Sequence, residues 1–307
     1  MKISRRVSLA WAATAPLALL PPAAWPAPAT APIDFLPAPG RIVAIGDVHG
    51  DCDAFERVLA LAGLYTRNSG WTGGNAVLVQ IGDVLDRGGQ EMECLRLLRD
   101  LKRAAPQQGG AVVSLLGNHE VMNAAGITYM ASARSAAAFE DRATAFLPGT
   151  ELATDLASWP VACVVGDTAF CHATLTLAQA EAGLQAGNAE ASRWLMGGSP
   201  TGLPPDQLLS PRALSGSFKS PVWTRDLSDP PDTEPAASAC ADLRSALARL
   251  GAKRLVVGHT VQSRCNCACD CSVWRIDVGL SAAMGTGAAP QALEIASNGK
   301  VRVLVGT

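Results

Sequence analysis

Three times between residues 41 and 120 a short apolar run breaks into glycine followed by Asp or Asn. Arg41-Ile42-Val43-Ala44-Ile45 leads into Gly46-Asp47-Val48-His49-Gly50. Ala76-Val77-Leu78-Val79-Gln80-Ile81 leads into Gly82-Asp83-Val84-Leu85-Asp86-Arg87-Gly88. Ala111 to Leu116 leads into Gly117-Asn118-His119-Glu120. Unbroken apolar runs of this length, closed by glycine, read as strands buried on both faces. Helical spacing fills the intervals: Phe55, Val58, Leu59 and Ala62 share a face over Asp53–Leu64, and Met92, Leu95, Leu98 and Leu101 share one over Glu91–Leu101. A β-α-β-α-β order implies a mostly parallel sheet with right-handed crossovers, so all three polar loops fall at one sheet edge. In open α/β sheets that edge is where ligands bind.

The remainder of the chain carries the pattern further. An Ala-rich tract over 132–158 has helical character and is a candidate cap, and 161–165 and 168–171 read as a hairpin around Gly166-Asp167, followed by His172. Residues 197–235 form a long Gly/Pro/Ser/Asp-rich loop, a candidate specificity element with the island Pro221-Val222-Trp223-Thr224-Arg225-Asp226. A helix over 236–250 precedes a strand over 253–257 that ends in Gly258-His259-Thr260. Strands over 273–278, 292–296 and 301–305 close the chain, the last two joined by an Asn298-Gly299 turn. With 49% hydrophobic residues, the 307-residue chain has material for a large core. A net charge of −2, with no Lys/Arg stripe, gives no support to a nucleic-acid partner.

Residues 1–30 read as an export signal peptide and 31–40 as a leader, which leaves 41–307 as the catalytic domain. Lys2, Arg5 and Arg6 precede an apolar stretch over 7–20, and Ala27-Pro28-Ala29 or Ala29-Thr30-Ala31 offers a cleavage context. The apolar stretch is interrupted by Pro16 and is shorter than the ~20 residues a membrane span needs, so no stable span is expected in the mature form. Ser4-Arg5-Arg6-Val7-Ser8-Leu9 is similar to a twin-arginine signal, and a periplasmic location follows as the expectation. Among nine cysteines, Cys265, Cys267, Cys269 and Cys271 alternate with other residues, which on an extended strand would gather four thiols on one face. Oxidising surroundings favour disulfides there over a structural metal site, because the spacing matches no zinc ribbon.

The chain has four histidines, and all four lie at or just after a strand end: His49, His119, His172 and His259. A single histidine is ordinarily a scattered core or surface residue, but four out of four at strand ends beside Asp and Asn form a metal constellation. Oxygen and imidazole donors without thiolates suit Mn, Fe, Zn or Co better than Ca or Cu. The count fits two ions: Asp47 and His49 on one, Asn118, His172 and His259 on the other, and Asp83 bridging. Two divalent ions ~3.5–4 Å apart clamp the attacking and leaving oxygens of an in-line displacement.

These four clusters, in this order, resemble the calcineurin-like metallophosphoesterases. The Asp86-Arg87-Gly88 ending and Asn118-His119-Glu120 look like the phosphoprotein phosphatase branch, and Trp223-Thr224-Arg225 with Gly258-His259-Thr260-Val261-Gln262 looks most like its bacterial Shewanella-like members. The resemblance implies a β-sandwich of mixed sheets flanked by helices, of the α/β or layered α+β class. It also implies two divalent ions, manganese favoured, in the ligand set just given, with a bridging hydroxide attacking phosphorus. His119 would be the general acid, Asp86 its orienting partner, and Arg87 a phosphate ligand; Arg225 is a candidate second phosphate ligand, with a structural salt bridge as the alternative. The substrate implied is a phosphorylated protein or peptide, and the alternative is a dinucleoside polyphosphate or small nucleotide hydrolase. Two departures stand out: Ala173-Thr174 follows His172 where the branch often has Gly-Gly, and Val261 replaces the second histidine of a Gly-His-x-His motif, as in the phosphoprotein phosphatase branch. Sequence leaves the oligomeric state unread.

Overall fold

The apolar runs become strands because both of their faces are covered. The structure is a computed structural model that describes residues 31–38, 40–209 and 219–306. The signal peptide expected over 1–30 lies outside the described residues. The strands are β1 (Phe35–Leu36), β2 (Ile42–Ile45), β3 (Tyr65–Thr66), β4 (Gly70–Trp71), β5 (Val77–Gln80), β6 (Ala111–Ser114), β7 (Ala162–Val165) and β8 (Thr168–Cys171). They continue as β9 (Arg254–Val257), β10 (Asn266–Ala268), β11 (Val273–Arg275), β12 (Gln291–Ile295) and β13 (Val301–Val305). The helices are α1 (Cys52–Leu61), α2 (Glu91–Ala104), α3 (Asn118–Ala124), α4 (Ala133–Ala136), α5 (Arg142–Ala145), α6 (Glu151–Leu156), α7 (Leu177–Ala182), α8 (Leu184–Leu195) and α9 (Ala237–Leu250).

Two mixed sheets form the centre. One runs β13-β12-β2-β5-β6 and the other β1-β7-β8-β9-β11-β10. Alternation along the strands assigns their faces. Ile42, Ala44, Val77 and Val79 of the first sheet share one core with Cys163, Val165, Phe170 and Val256 of the second, which is the interior of the sandwich. Val43, Ile45 and Leu78 turn the other way, onto Phe55, Leu59, Leu95 and Leu98 of α1 and α2. Ala162, Val164, Leu255 and Val257 likewise meet Leu243 and Leu247 of α9. Each large aliphatic or aromatic side chain removed from water in these layers contributes about 1.5–3 kcal/mol. The expected sandwich of mixed sheets flanked by helices is therefore present, although β12 and β13 add antiparallel strands to the parallel β2-β5-β6 core.

Several local expectations need correction. The Ala-rich tract is helical, as expected, but as three short pieces, α4, α5 and α6, with Asp141 capping Ala143 N at 3.1 Å and Pro148-Gly149 preceding the next cap at Thr150. The leader is partly structural, since Phe35 and Leu36 pair in parallel with Val164 and Val165. The final strand over 273–278 stops at Arg275. The alternating cysteines do not line one strand face. Only Cys267 lies in β10, and Cys269, Asp270 and Cys271 take φ of 53°, 55° and 56°, which turns the chain back on itself. Cys267 is bonded to Cys271 and Cys240 of α9 to Cys269, while Cys265 is a buried free thiol. Among the described residues no helix is long and apolar enough to cross a membrane.

Candidate metal centre and phosphate pocket

Parallel strands end at a common edge, and the topology uses this twice. β2, β5 and β6 are mutually parallel and release Asp47-Val48-His49, Asp83 and Asn118 at one end of the first sheet. β8, β9 and β11 are also parallel, and they release His172, His259 and Asp277 at the matching end of the second. The two edges meet at Asp83. Its Oδ2 lies 3.3 Å from His172 Nε2, 3.7 Å from His119 Nε2 and 3.8 Å from His49 Nε2. Its Oδ1 accepts the backbone N–H of His119 at 3.0 Å.

Backbone carbonyls fix which ring nitrogen is free. A carbonyl only accepts, so His49 Nδ1–H donates to Leu85 O at 3.0 Å, His172 Nδ1–H to Ile81 O at 2.8 Å, and His259 Nε2–H to Trp223 O at 3.1 Å. The remaining lone pairs converge: His172 Nε2 lies 3.0 Å from Asn118 Oδ1 and 3.2 Å from His259 Nδ1. Together with Asp83 Oδ2, 3.3 Å from His172 Nε2, these four atoms form a donor set that fits a cation between them. His49 Nε2 and Asp47 Oδ2, 4.0 Å apart, form the other half of the cluster.

The backbone is strained where the site is built. His49, Asp83, Asp86, Arg87 and His259 all have φ between 45° and 67°, a region that costs non-glycine residues about 1–2 kcal/mol each. Glu120 holds part of this strain. Its buried carboxylate accepts from Gly117 N and Asp83 N at 2.8 Å, Val84 N at 2.9 Å and Leu85 N at 3.1 Å. Two glycines leave room for the carboxylates. A Cβ on Gly117 would stand 2.2 Å from Asp83 Oδ1, and one on Gly258 would stand 2.4 Å from Asp47 Oδ1.

The electrostatics are those of buried, crowded anions. Burial, then Asp277 and Asp83, hold Asp47 well above the usual carboxylate range. Burial pushes Asp277 and Glu120 up to about 6, with the charge of Asp83 adding to both. Burial also works against an ionised Asp83, yet His172, His119 and His49 outweigh it and hold Asp83 well below the usual range. Burial drops His49 to about 4, and burial with His172 holds His259 well below the usual imidazole range. For His119 burial opposes protonation, but Asp83 and Asp86 outweigh it and raise the pKa.

Above the cluster opens a cavity of about 230 Å³, with Arg87, Tyr129, Met130, Trp223 and Arg225 on its walls. Arg87 Nε is buried without a hydrogen-bond partner. Arg225 is anchored through Nη1, which donates to His259 O and Thr260 Oγ1 at 2.7 Å each. The candidate metal, acid and phosphate residues singled out from the sequence thus lie together, whereas no residue of the tract over 132–158 lines the cavity: Tyr129 and Met130, just upstream, do, and Arg142 of the tract reaches Asp86 from the far side. Asp277, Glu120 and Tyr129 were given no role by sequence reasoning. Glu120 stood inside a quoted motif, and Asp277 was absorbed into a strand that the charge should have ended.

The family profile for calcineurin-like phosphoesterases matches residues 40–263. Shewanella-like protein phosphatase 2 of Arabidopsis thaliana is 31% identical over 315 residues, spanning 87% of this chain and 78% of the relative. Shewanella-like protein phosphatase 1 of Plasmodium berghei is 28% identical over 250 residues, spanning 79% of this chain and 67% of that protein. Among solved structures, the cold-active protein-tyrosine phosphatase of a psychrophilic Shewanella species superposes with a TM-score of 0.71 at 22% identity, over 89% of this chain and 83% of that one, and so shares the fold.

Proposed function

The chain belongs to the calcineurin-like phosphoesterases, in their Shewanella-like protein phosphatase branch, and from that membership we propose a metal-dependent hydrolase of phosphate monoesters on proteins or peptides. The convergence of His172, His119 and His49 Nε2 on Asp83 Oδ2 carries this reading. Buried carboxylates that raise one another's pKa, facing outward-turned imidazole lone pairs, fit two divalent cations of the Mn, Fe, Zn or Co type, with manganese favoured. Asp47 and His49 would hold one, Asn118, His172 and His259 the other, and Asp83 both. Such ions, when bound, supply Lewis acidity and a water acidified towards neutral pH.

The chain's own groups do the rest. Arg87, its Nε unpaired, and Arg225 are placed to grip equatorial phosphoryl oxygens as charge builds there. His119 Nδ1–H donates to Asp86 Oδ2 at 2.6 Å, which turns Nε2 towards the cluster. As the P–O bond breaks, the proton on Nε2 passes to the departing ester oxygen and no alkoxide is released. The donor residues are themselves buried, which keeps these charges strong. We further place the mature protein in the periplasm, on the strength of the Arg5-Arg6 leader and the two disulfides; cell fractionation decides that point.

The test is leaving-group dependence. His119→Asn is expected to slow hydrolysis of alkyl phosphates by roughly 10²-fold or more, and of dinitrophenyl phosphate far less, since its leaving group needs no proton. Equal slowing across both would overturn the general-acid assignment.

A further inference from the structure

Behind His119, on the side away from the cavity, Asp86 belongs to a second polar cluster that the reaction as described does not use. Arg142, at the start of α5, is buried together with Glu91, Asn123 and Ser135. Its guanidinium spends all three nitrogens. Nη2 donates to Asp86 Oδ1 at 2.6 Å and to Glu91 Oε1 at 3.0 Å, Nη1 donates to Glu91 Oε2 and to Ser135 Oγ at 3.1 Å, and Nε donates to Asn123 Oδ1 at 2.9 Å. Phe139 and Phe146 flank the guanidinium, their ring centres 4.6 and 5.3 Å from Cζ. Asn123 then donates to Asp86 Oδ2 at 3.0 Å, the oxygen that accepts from His119, and to His119 O at 2.9 Å. Glu91 accepts the backbone N–H of Asp86. Asp86 is thereby held at its backbone and at both carboxylate oxygens, in a residue whose φ of 67° would otherwise favour relaxation.

We infer that Arg142, seated on Glu91 and steering Asn123, is a positioning residue for the general acid: it sets the plane of the Asp86 carboxylate and so the direction in which His119 presents Nε2. The inference rests on the reading of His119 as general acid. A planar fork with fixed donor directions can serve two carboxylates and an amide at once, which a lysine ammonium on a flexible stem does not reproduce. No residue of α4 or α5 lines the cavity; Ser135 and Arg142 connect these helices to the chemistry through Glu91 and Asp86. A displacement of about 1 Å at a catalytic group is enough to lower rate by roughly 10²-fold.

The experiment uses the full-length, metal-loaded enzyme and aryl phosphates running from dinitrophenyl to unsubstituted phenyl. Arg142→Lys, which keeps the charge and loses the fork, is expected to lower kcat for phenyl phosphate roughly tenfold to 10²-fold. Its kcat for dinitrophenyl phosphate should change less than about threefold, with KM and metal content unchanged. Glu91→Gln should show the same tilt at smaller size, and keeps the test available if the lysine variant does not fold. In a His119→Asn background either substitution should add nothing, because the group it positions is gone. Uniform slowing across the series, or the same additional loss without His119, would overturn the inference and reduce Arg142 to a structural residue. If His119→Asn alone produced no tilt, the general-acid reading would fail first and Arg142 with it. A tilt in His119→Asn without one in the Arg142 and Glu91 variants would sink only the positioning role.

Discussion

The two sheet edges that meet at Asp83 are built differently. The five-stranded edge brings Asp47, His49 and Asp83 on the loops that lead into α1 and α2 and Asn118 at the start of α3, and the carboxylate of Glu120 ties together four N–H groups around Gly117 and Asp83. It organises itself. The six-stranded edge brings His172, His259 and Asp277, and its imidazoles are aimed from outside: Ile81 O, from the facing sheet, orients His172, and Trp223 O, from the long loop, orients His259. One edge is tied together by hydrogen bonds among its own loops, whereas the other takes its aim from groups remote in sequence. A two-ion centre at a seam needs both, because the locally tied edge supplies only four of the six donor residues.

Breaking the seam itself should have the largest effect. Asp83→Asn removes the one oxygen that three imidazoles face, and is expected to abolish metal loading and to cut turnover by roughly 10³-fold or more, several kcal/mol of lost charge stabilisation. Normal metal content in that variant, by elemental analysis, would end the two-ion picture. Emptying one edge at a time comes next. Asp47→Asn and His259→Asn should each retain about one ion of two, with activity down roughly 10²-fold; equal loss of both ions from either variant would mean that the edges do not act as separate halves.

The stiffness of the first edge can be weighed through Glu120. Glu120→Gln keeps size but loses the anion that accepts four N–H bonds, and should lower stability by about 2–4 kcal/mol, visible as a lower Tm. An unchanged Tm would show that the loops hold without it. The smallest effect is expected from Asp277, the one carboxylate on the imidazole edge. Its folded-state pKa is raised from 3.8 to about 6, so the folded protein keeps that proton longer than the unfolded chain does. As pH rises through this window the metal-stripped wild type must give it up at a cost. Asp277→Asn should therefore gain stability relative to wild type between about pH 4 and 6, levelling off near 2–3 kcal/mol above it. A gap that does not change with pH would show that Asp277 is already compensated in the empty site.

How much of this could be read from the sequence follows the same division. The five-stranded edge was legible because each donor lies within a few residues of the strand that carries it, and strand, glycine and ligand are adjacent in the chain. His172 and His259 were legible only as histidines at strand ends, since what aims them is remote. Arg142 was not legible at all: an arginine in an Ala-rich tract gives no sign of a partner 56 residues away. The helical character of the tract was legible because alanine propensity is strong, but its division was not: the caps at Asp141 and Thr150 and the break at Pro148-Gly149 cut it into short helices. The cysteines misled for a related reason. Alternation means a shared face only on an extended strand, and three left-handed residues in a row end the strand after Ala268.

The bare Cα atoms of Gly117 and Gly258 bear on how such a protein drifts. A single methyl at either position would stand 2.2 Å from Asp83 Oδ1 or 2.4 Å from Asp47 Oδ1, closer than any packed contact allows. Neither change touches a ligand or a strand core. A descendant with alanine at 117 or 258 would keep every metal-binding residue, every strand and the whole order of clusters, and would still have its carboxylates pushed off the seam. Among relatives that carry all the expected donors, these two glycines are where an inactive copy would be told from a working enzyme.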